Sequence, residues 1–187
     1  MKKASLILMG MMVISSVVFA QDIKYPNRGY RGFAETSLGS GSIDEISFFE
    51  FGINTIHGYQ IIPQLFVGGG IGANVYGLDF ASDNNFEDYN NTEWDVIPVF
   101  LNIRGDFIKK KVSPFADIRI GTSVGDIEGD YFALSAGIRL KRVNLSLSYV
   151  SQEGYNYTQH VNRTNIVKTG SIDSILLNVS IDWGARY

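Results

Sequence analysis

The stretch SILLNVSIDWGARY, residues 174–187, decides the fold. In it Ile175, Leu177, Val179, Ile181, Trp183, Ala185 and Tyr187 fall on one face, and Ser174, Asn178, Ser180, Asp182 and Arg186 fall on the other. Leu176 is the one exception. A period of two is the signature of a strand, because successive side chains leave the backbone on opposite sides. One face of this strand suits lipid and the other a polar interior.

The same alternation recurs upstream in seven more stretches: Tyr30 to Gly39, Glu45 to His57, Leu65 to Asp79, Val96 to Phe107, Pro114 to Val124, Tyr131 to Leu140 and Val143 to Ser151. In the second, Phe49, Phe51, Ile53 and Thr55 oppose Glu50, Gly52 and Asn54; in the third, Val67, Ile71, Ala73 and Val75 oppose Gly68, Gly70, Gly72 and Asn74. Strands that enter hydrocarbon must close, since an open edge leaves backbone groups unsatisfied at several kcal/mol each. The predicted fold is therefore all-β, an eight-stranded antiparallel transmembrane up-and-down β-barrel over residues 30–187. Pro98 lies inside the fourth strand and cannot donate to a ladder, so a bulge is expected there, near the extracellular end.

Lys2 and Lys3 precede an uncharged run from Ala4 to Phe19, and Val18-Phe19-Ala20 places small or medium residues where a signal peptidase reads. Residues 1–20 read as a cleaved signal and 21–29 as a loose periplasmic leader. The apolar run is shorter than the ~20 residues of a spanning helix, and no basic cluster follows it, which argues against an anchor. With no Cys, neither lipid attachment through cysteine nor a disulfide framework is available. Removing Lys2 and Lys3 leaves 14 of the 16 basic residues against 19 acidic ones, a formal charge of -5. That balance offers no basic field for nucleic acid.

The connections alternate in length. Tyr59 to Gln64, Lys109 to Ser113 and Lys141-Arg142 are short; Ala81 to Asp95 and Gln152 to Ile172 are long and rich in Asn, Asp and Tyr. Short turns face the periplasm in outer-membrane barrels and long loops face outward.

Within the strands, alternation places Arg31, Glu35, Glu50, Arg104, Asp106, Asp117, Arg119 and Arg139 on the inward face. They read either as a charged pore or ligand site, or as a salt-bridge network plugging a lumen only wide enough for side chains. Tyr30, Phe33, Tyr59, Phe66, Phe107, Phe115, Trp183 and Tyr187 gather near the periplasmic strand ends; Phe80, Trp94, Tyr131 and Tyr149 gather near the others. They are read as two interfacial girdles, with Tyr30, Trp94, Phe107, Tyr149, Trp183 and Tyr187 as the principal members. In the competing reading, a soluble lipocalin-like binder, the apolar face would point inward instead.

Catalysis finds little footing. His57 lies near the periplasmic end of the second strand and His160 in the last long loop, neither beside a His-x-Ser pairing, so no nucleophile and base are matched. The run Gly68-Gly69-Gly70-Ile71-Gly72 resembles a phosphate loop, but no helix follows it to supply backbone donors. Two His and no Cys give no metal-binding spacing, so no catalytic, cofactor or metal residues are assigned.

The runs HGYQIIPQLFVGGGIGANVY, IPVFLNIRGDF, KKKVSPFADIRIGTSVGD and YFALSAGIRL resemble the small outer-membrane β-barrel family of Bacteroidetes, akin to the OmpA transmembrane domain and OmpX-like barrels. The resemblance covers residues 30–187 and implies a Gram-negative cell outer membrane location, with lipid and the outer-membrane assembly machinery as partners. It implies no assigned activity. The expected role is structural and surface-interacting, through long loops that meet an unidentified extracellular partner; a small-solute channel or porin-like binder is the alternative. The exported protein is expected to begin at Gln21 and to fractionate with the outer membrane, checked by mass spectrometry of the purified chain; recovery as a soluble periplasmic protein would overturn the reading.

Overall fold

The computed structural model describes residues 28–43, 46–78, 93–108, 110, 112–161 and 164–184, with backbone alone at 43, 46, 78, 93–94, 154–161 and 164–170. The signal, most of the leader, most of the connection at 81–95 and Tyr187 lie outside the described residues. The strands are β1 (Gly29–Ile43), β2 (Ile46–Ile62), β3 (Leu65–Leu78), β4 (Glu93–Asp106), β5 (Val112–Gly125), β6 (Gly129–Leu140), β7 (Val143–Val161) and β8 (Thr164–Gly184). Each pairs antiparallel with its sequence neighbour, and β1 pairs with β8, so the sheet is a closed eight-stranded barrel.

Closure follows from the alternation in the sequence. On β5, Phe115, Asp117 and Arg119 are buried while Pro114, Ile118 and Ile120 are exposed. The buried set points into a lumen that eight strands leave just wide enough to fill. Glycines make room there: a Cβ on Gly58 or on Gly68 would stand 2.7 Å from the ring of Phe66, so that ring lies across both. At the rim where the short connections lie, Pro63-Gln64 and Lys141-Arg142 form two-residue turns, and Lys141 takes a φ of 63°. A left-handed residue in such a turn matches the twist of the strands it joins.

Two expectations need correction. Register between β3 and β4 is unchanged across Pro98: Ile71 faces Val99 and Asn74 faces Val96, with pairing lapsing only between them. No bulge forms, because the missing donor costs one interruption in the ladder while the inward Pro98 ring keeps its place on the pleat. The segment expected as a loop from Gln152 to Ile172 is instead paired along its length, from Gln152 opposite Ile172 to Val161 opposite Thr164. β6 pairs with β7 only as far as Gln152, and β1 with β8 only as far as Asp173, so beyond these points β7 and β8 form a two-stranded ribbon. A register shift between Glu153 and Tyr155 marks where the ribbon leaves the wall, with Gly154 as the extra residue. Tyr155, Tyr157, Val161, Ile166 and Val167 supply the β-prone residue types of this ribbon.

Replacing Gly68 by Leu should displace Phe66 and destabilise the barrel by about 1–3 kcal/mol through overpacking, measured as a lower urea midpoint in detergent; an unchanged midpoint would mean that the lumen has slack there.

Candidate functional site

Inward side chains from all eight strands fill the lumen, and the most charged level lies near the short-turn rim. Arg31 on β1 donates to Asp182 on β8 through Nε at 3.2 Å and Nη2 at 2.8 Å, and through Nη1 to Gln60 Oε1 at 2.8 Å and Asp106 Oδ2 at 3.1 Å. Arg139 on β6 donates to the same Asp106 oxygen at 2.8 Å and to the Lys110 carbonyl at 2.9 Å. Asp106 on β4 therefore joins two guanidiniums from β1 and β6, neither a neighbour of β4, all three residues being buried.

Arg104 lies 3.5 Å above the ring of Phe115 and donates to Asn144 Oδ1 at 2.7 Å. Phe33 takes Arg31 at 4.7 Å and Arg104 at 5.0 Å from its centroid. Stacking of this kind suits guanidiniums withdrawn from water, because the ring face carries partial negative charge.

Midway along the lumen Arg119 grips Glu35 with both terminal nitrogens, Nη1 to Oε1 at 2.6 Å and Nη2 to Oε2 at 2.8 Å. This bidentate fork spans from β5 to β1 across the interior. Asn54 adds a 3.3 Å bond to Glu35 Oε1. Asp117 stands 3.4 Å from Arg119 Nε, and Arg104 stands 3.6 Å from Asp106 Oδ1; neither contact meets hydrogen-bond geometry, so each contributes through charge proximity.

All eight sequence-predicted lumen charges are thus buried inside the barrel, but they do not pair as a single set. Glu50, fully buried, has no cation within ion-pair distance among the described residues; Asn74 donates to its Oε1 at 3.0 Å. Its level, farther from the short-turn rim, is lined by Phe48, Tyr76, Val96, Ile127 and Ile172. Asp182, Gln60 and Asn144 were missed as members of the network, although the parity of β8 places Asp182 inward.

The aromatic residues divide. Tyr30, Phe107 and Tyr149 are exposed on the outer wall and Trp183 is half-exposed; Trp94 is described by its backbone alone and Tyr187 lies outside the described residues. Phe33, Phe66, Phe115 and Tyr131, expected in the girdles, instead point into the lumen, each within 3 % exposure. Phe33 sits two residues from both Arg31 and Glu35, and Phe115 two from Asp117, so they share the inward parity of those charges. Phe33, Phe66 and Tyr131 join Phe100 and Leu176 in an apolar cluster inside the barrel, in which Phe100 and Tyr131 stack at 5.5 Å, while Phe115 lies under Arg104. The lumen filling is therefore ionic and aromatic together. His57 is exposed on the outer wall, and His160 lies in the β7 part of the ribbon. A hollow of about 540 Å³ opens beside Ile120, Phe132 and Tyr149.

No protein-family model matches the chain. No curated protein matches it either. Among solved structures it is similar to the outer membrane enzyme PagL, at 13% identity and a TM-score of 0.48 over 79% of this chain and 98% of that one. It is also similar to Neisserial surface protein A, at 15% identity and 0.48 over 82% and 96%. The third is Ail, the attachment invasion locus protein of Yersinia pestis, solved with the heparin analogue sucrose octasulfate, at 8% identity and 0.44 over 84% and 99%. These likenesses add nothing to what the closed ladder itself establishes.

Asp106→Asn should cost about 3–5 kcal/mol, because it leaves Arg31 and Arg139 buried with less compensation, whereas Glu50→Gln should cost under about 1 kcal/mol, since no guanidinium depends on it. Chemical unfolding of both variants in the same detergent checks the contrast, and equal losses would refute it.

Proposed function

We propose that the chain is an integral outer-membrane barrel with a structural and surface-interaction role, its lumen closed by ion pairs and aromatic side chains and its β7–β8 ribbon presented outside the cell. The observation that carries this reading is the sidedness of the wall. Arg31, Glu35, Glu50, Arg104, Asp106, Asp117, Arg119, Arg139 and Asp182 are turned inward and buried, while Leu101, Ile120, Leu147, Ile175 and Leu177 are each more than half exposed on the outside. An apolar belt of that extent around a whole barrel would be a severe liability in water and is the expected surface against hydrocarbon. A soluble ligand-binding barrel would carry the opposite arrangement.

The closed lumen supports a non-conducting scaffold over the small-solute channel. Bonds such as Arg119 to Glu35 and Arg31 to Asp106 cross the interior, leaving rings and guanidiniums where a channel would hold water. The ribbon supports the outward role, since it stands beyond the last pairing of β7 with β6 and adds nothing to the wall. The cleaved signal, the assembly machinery and an extracellular partner of the ribbon belong to the same proposal, and no catalytic residues are assigned.

Planar-bilayer recording of the full chain should show negligible steady conductance; a robust ion-selective current would promote the channel reading. Leu177→Arg, placing a charge on the lipid-facing wall, should impair insertion into vesicles at a cost of about 2–4 kcal/mol if the site lies near the midplane. Normal insertion of that variant would mean that the wall does not face lipid.

A further inference from the structure

The outer wall near the short-turn rim carries a polar cluster that neither the lumen nor the ribbon uses. Both ring nitrogens of the exposed His57 on β2 are engaged: Nδ1 lies 2.5 Å from the Tyr30 hydroxyl on β1, and Nε2 lies 2.8 Å from the Thr55 hydroxyl on the same strand. Trp183 reaches over β1 from β8 and meets the imidazole edge to face at 5.7 Å. It can do so because Gly32 lies beneath it, where a Cβ would stand 2.7 Å from the indole. The β3 residue opposite His57 is Gly69, which offers the ring nothing. Arg28, two residues before Tyr30, is exposed at the same rim.

The protons of this cluster can be counted. A neutral imidazole carries one N–H, so one of its nitrogens donates to a hydroxyl oxygen and the other accepts from the second hydroxyl. The hydroxyl that receives keeps its own proton to give, and among the described residues nothing else accepts it. This holds for either tautomer, and a second proton on the ring would free both hydroxyls. The wall thus presents at least one outward O–H donor beside the Trp183 indole, with Arg28 exposed two residues before Tyr30 and with Ile61, Val67 and Ile181 on the same strands and their neighbours. In hydrocarbon an unused donor is costly, whereas at headgroup depth it meets phosphate oxygens.

We propose that Tyr30, Thr55 and His57, flanked by Trp183 and Arg28, bind the phosphate of an anionic phospholipid headgroup at the periplasmic rim of the apolar belt. This rests on the membrane reading above. Trp183 and Tyr30 supply the flat amphipathic surfaces that sit between acyl chains and headgroups, and the hydroxyls supply the directed contact.

The test uses the full chain folded in a non-ionic detergent and follows the His57 ring resonances by NMR. Added phosphatidylglycerol should shift them saturably, while diacylglycerol with the same chains, or inorganic phosphate alone, should not. The triple variant Tyr30→Phe, Thr55→Val, His57→Gln should bind phosphatidylglycerol at least about tenfold more weakly, as expected for losing hydrogen bonds to a charged group. His57→Gln alone, read by the Trp183 resonances, provides the comparison if the triple variant does not fold. An equal response to diacylglycerol or to free phosphate, or an unchanged affinity in folded variants, overturns the proposal. Insertion of the unmodified chain into phosphatidylcholine vesicles is measured alongside. Insertion without any preference for the anionic lipid defeats this site alone, and failure to insert defeats the membrane reading and the site with it.

Discussion

Asp106 Oδ2, accepting from Arg31 at 3.1 Å and from Arg139 at 2.8 Å, is the contact on which the interior turns. Eight strands enclose so little space that inward side chains lose their water. A guanidinium in that position must find an anion, and two guanidiniums sharing one carboxylate need a second one nearby, which Asp182 provides. The ionic level near the short turns is thereby tied to β1, β4, β6 and β8 at once. Above it, Arg119 and Glu35 tie β5 to β1. The ladder holds neighbouring strands, whereas Arg31 with Asp106, Arg139 with Asp106 and Arg119 with Glu35 hold strands that are not neighbours.

Aromatic rings do the rest of the filling, and they explain how so many arginines are accommodated. Phe33 and Phe115 offer their faces to Arg31 and Arg104, so these cations are stabilised by rings as well as by carboxylates. The interior grades from ionic near the short turns to apolar at the level of Phe48, Tyr76 and Ile172. Glu50 sits in that apolar zone with Asn74 as its hydrogen-bond donor, which is why its exchange for an uncharged isostere differs in kind from loss of Asp106.

Most of the wall was legible because a strand with one face inside and one outside writes its geometry into every second residue. β5 and β6 could be placed within two residues at each end, and the eight inward charges followed from parity. Phe33, Phe66, Phe115 and Tyr131 have the residue chemistry of an interfacial girdle but the parity of the interior, each standing two residues from Arg31, Gly68, Asp117 or Ala133, and parity is what the barrel obeys. The ribbon was illegible for a different reason: its sequence from Gln152 to Ile172, rich in Asn and Tyr, shows no sustained alternation, and its pairing is between β7 and β8 alone. Which charge meets which was not readable at all. Arg119 and Glu35 are 84 residues apart and on non-adjacent strands, and their meeting depends on the stagger of the whole barrel.

The junction between β1 and β8 has a character of its own. Every other neighbouring pair is joined by a chain connection at one end, so its strands meet at small entropic cost. Arg31 and Asp182 stand 151 residues apart, and the ladder they belong to shuts the ring. Loop closure over that span is the largest such cost in the molecule, and contacts of long sequence separation form slowly. A slip of one residue at this junction would turn Asp182 outward and leave Arg31 without its partner. The ion pair therefore discriminates between registers at the joint that carries the largest closure cost of the ring.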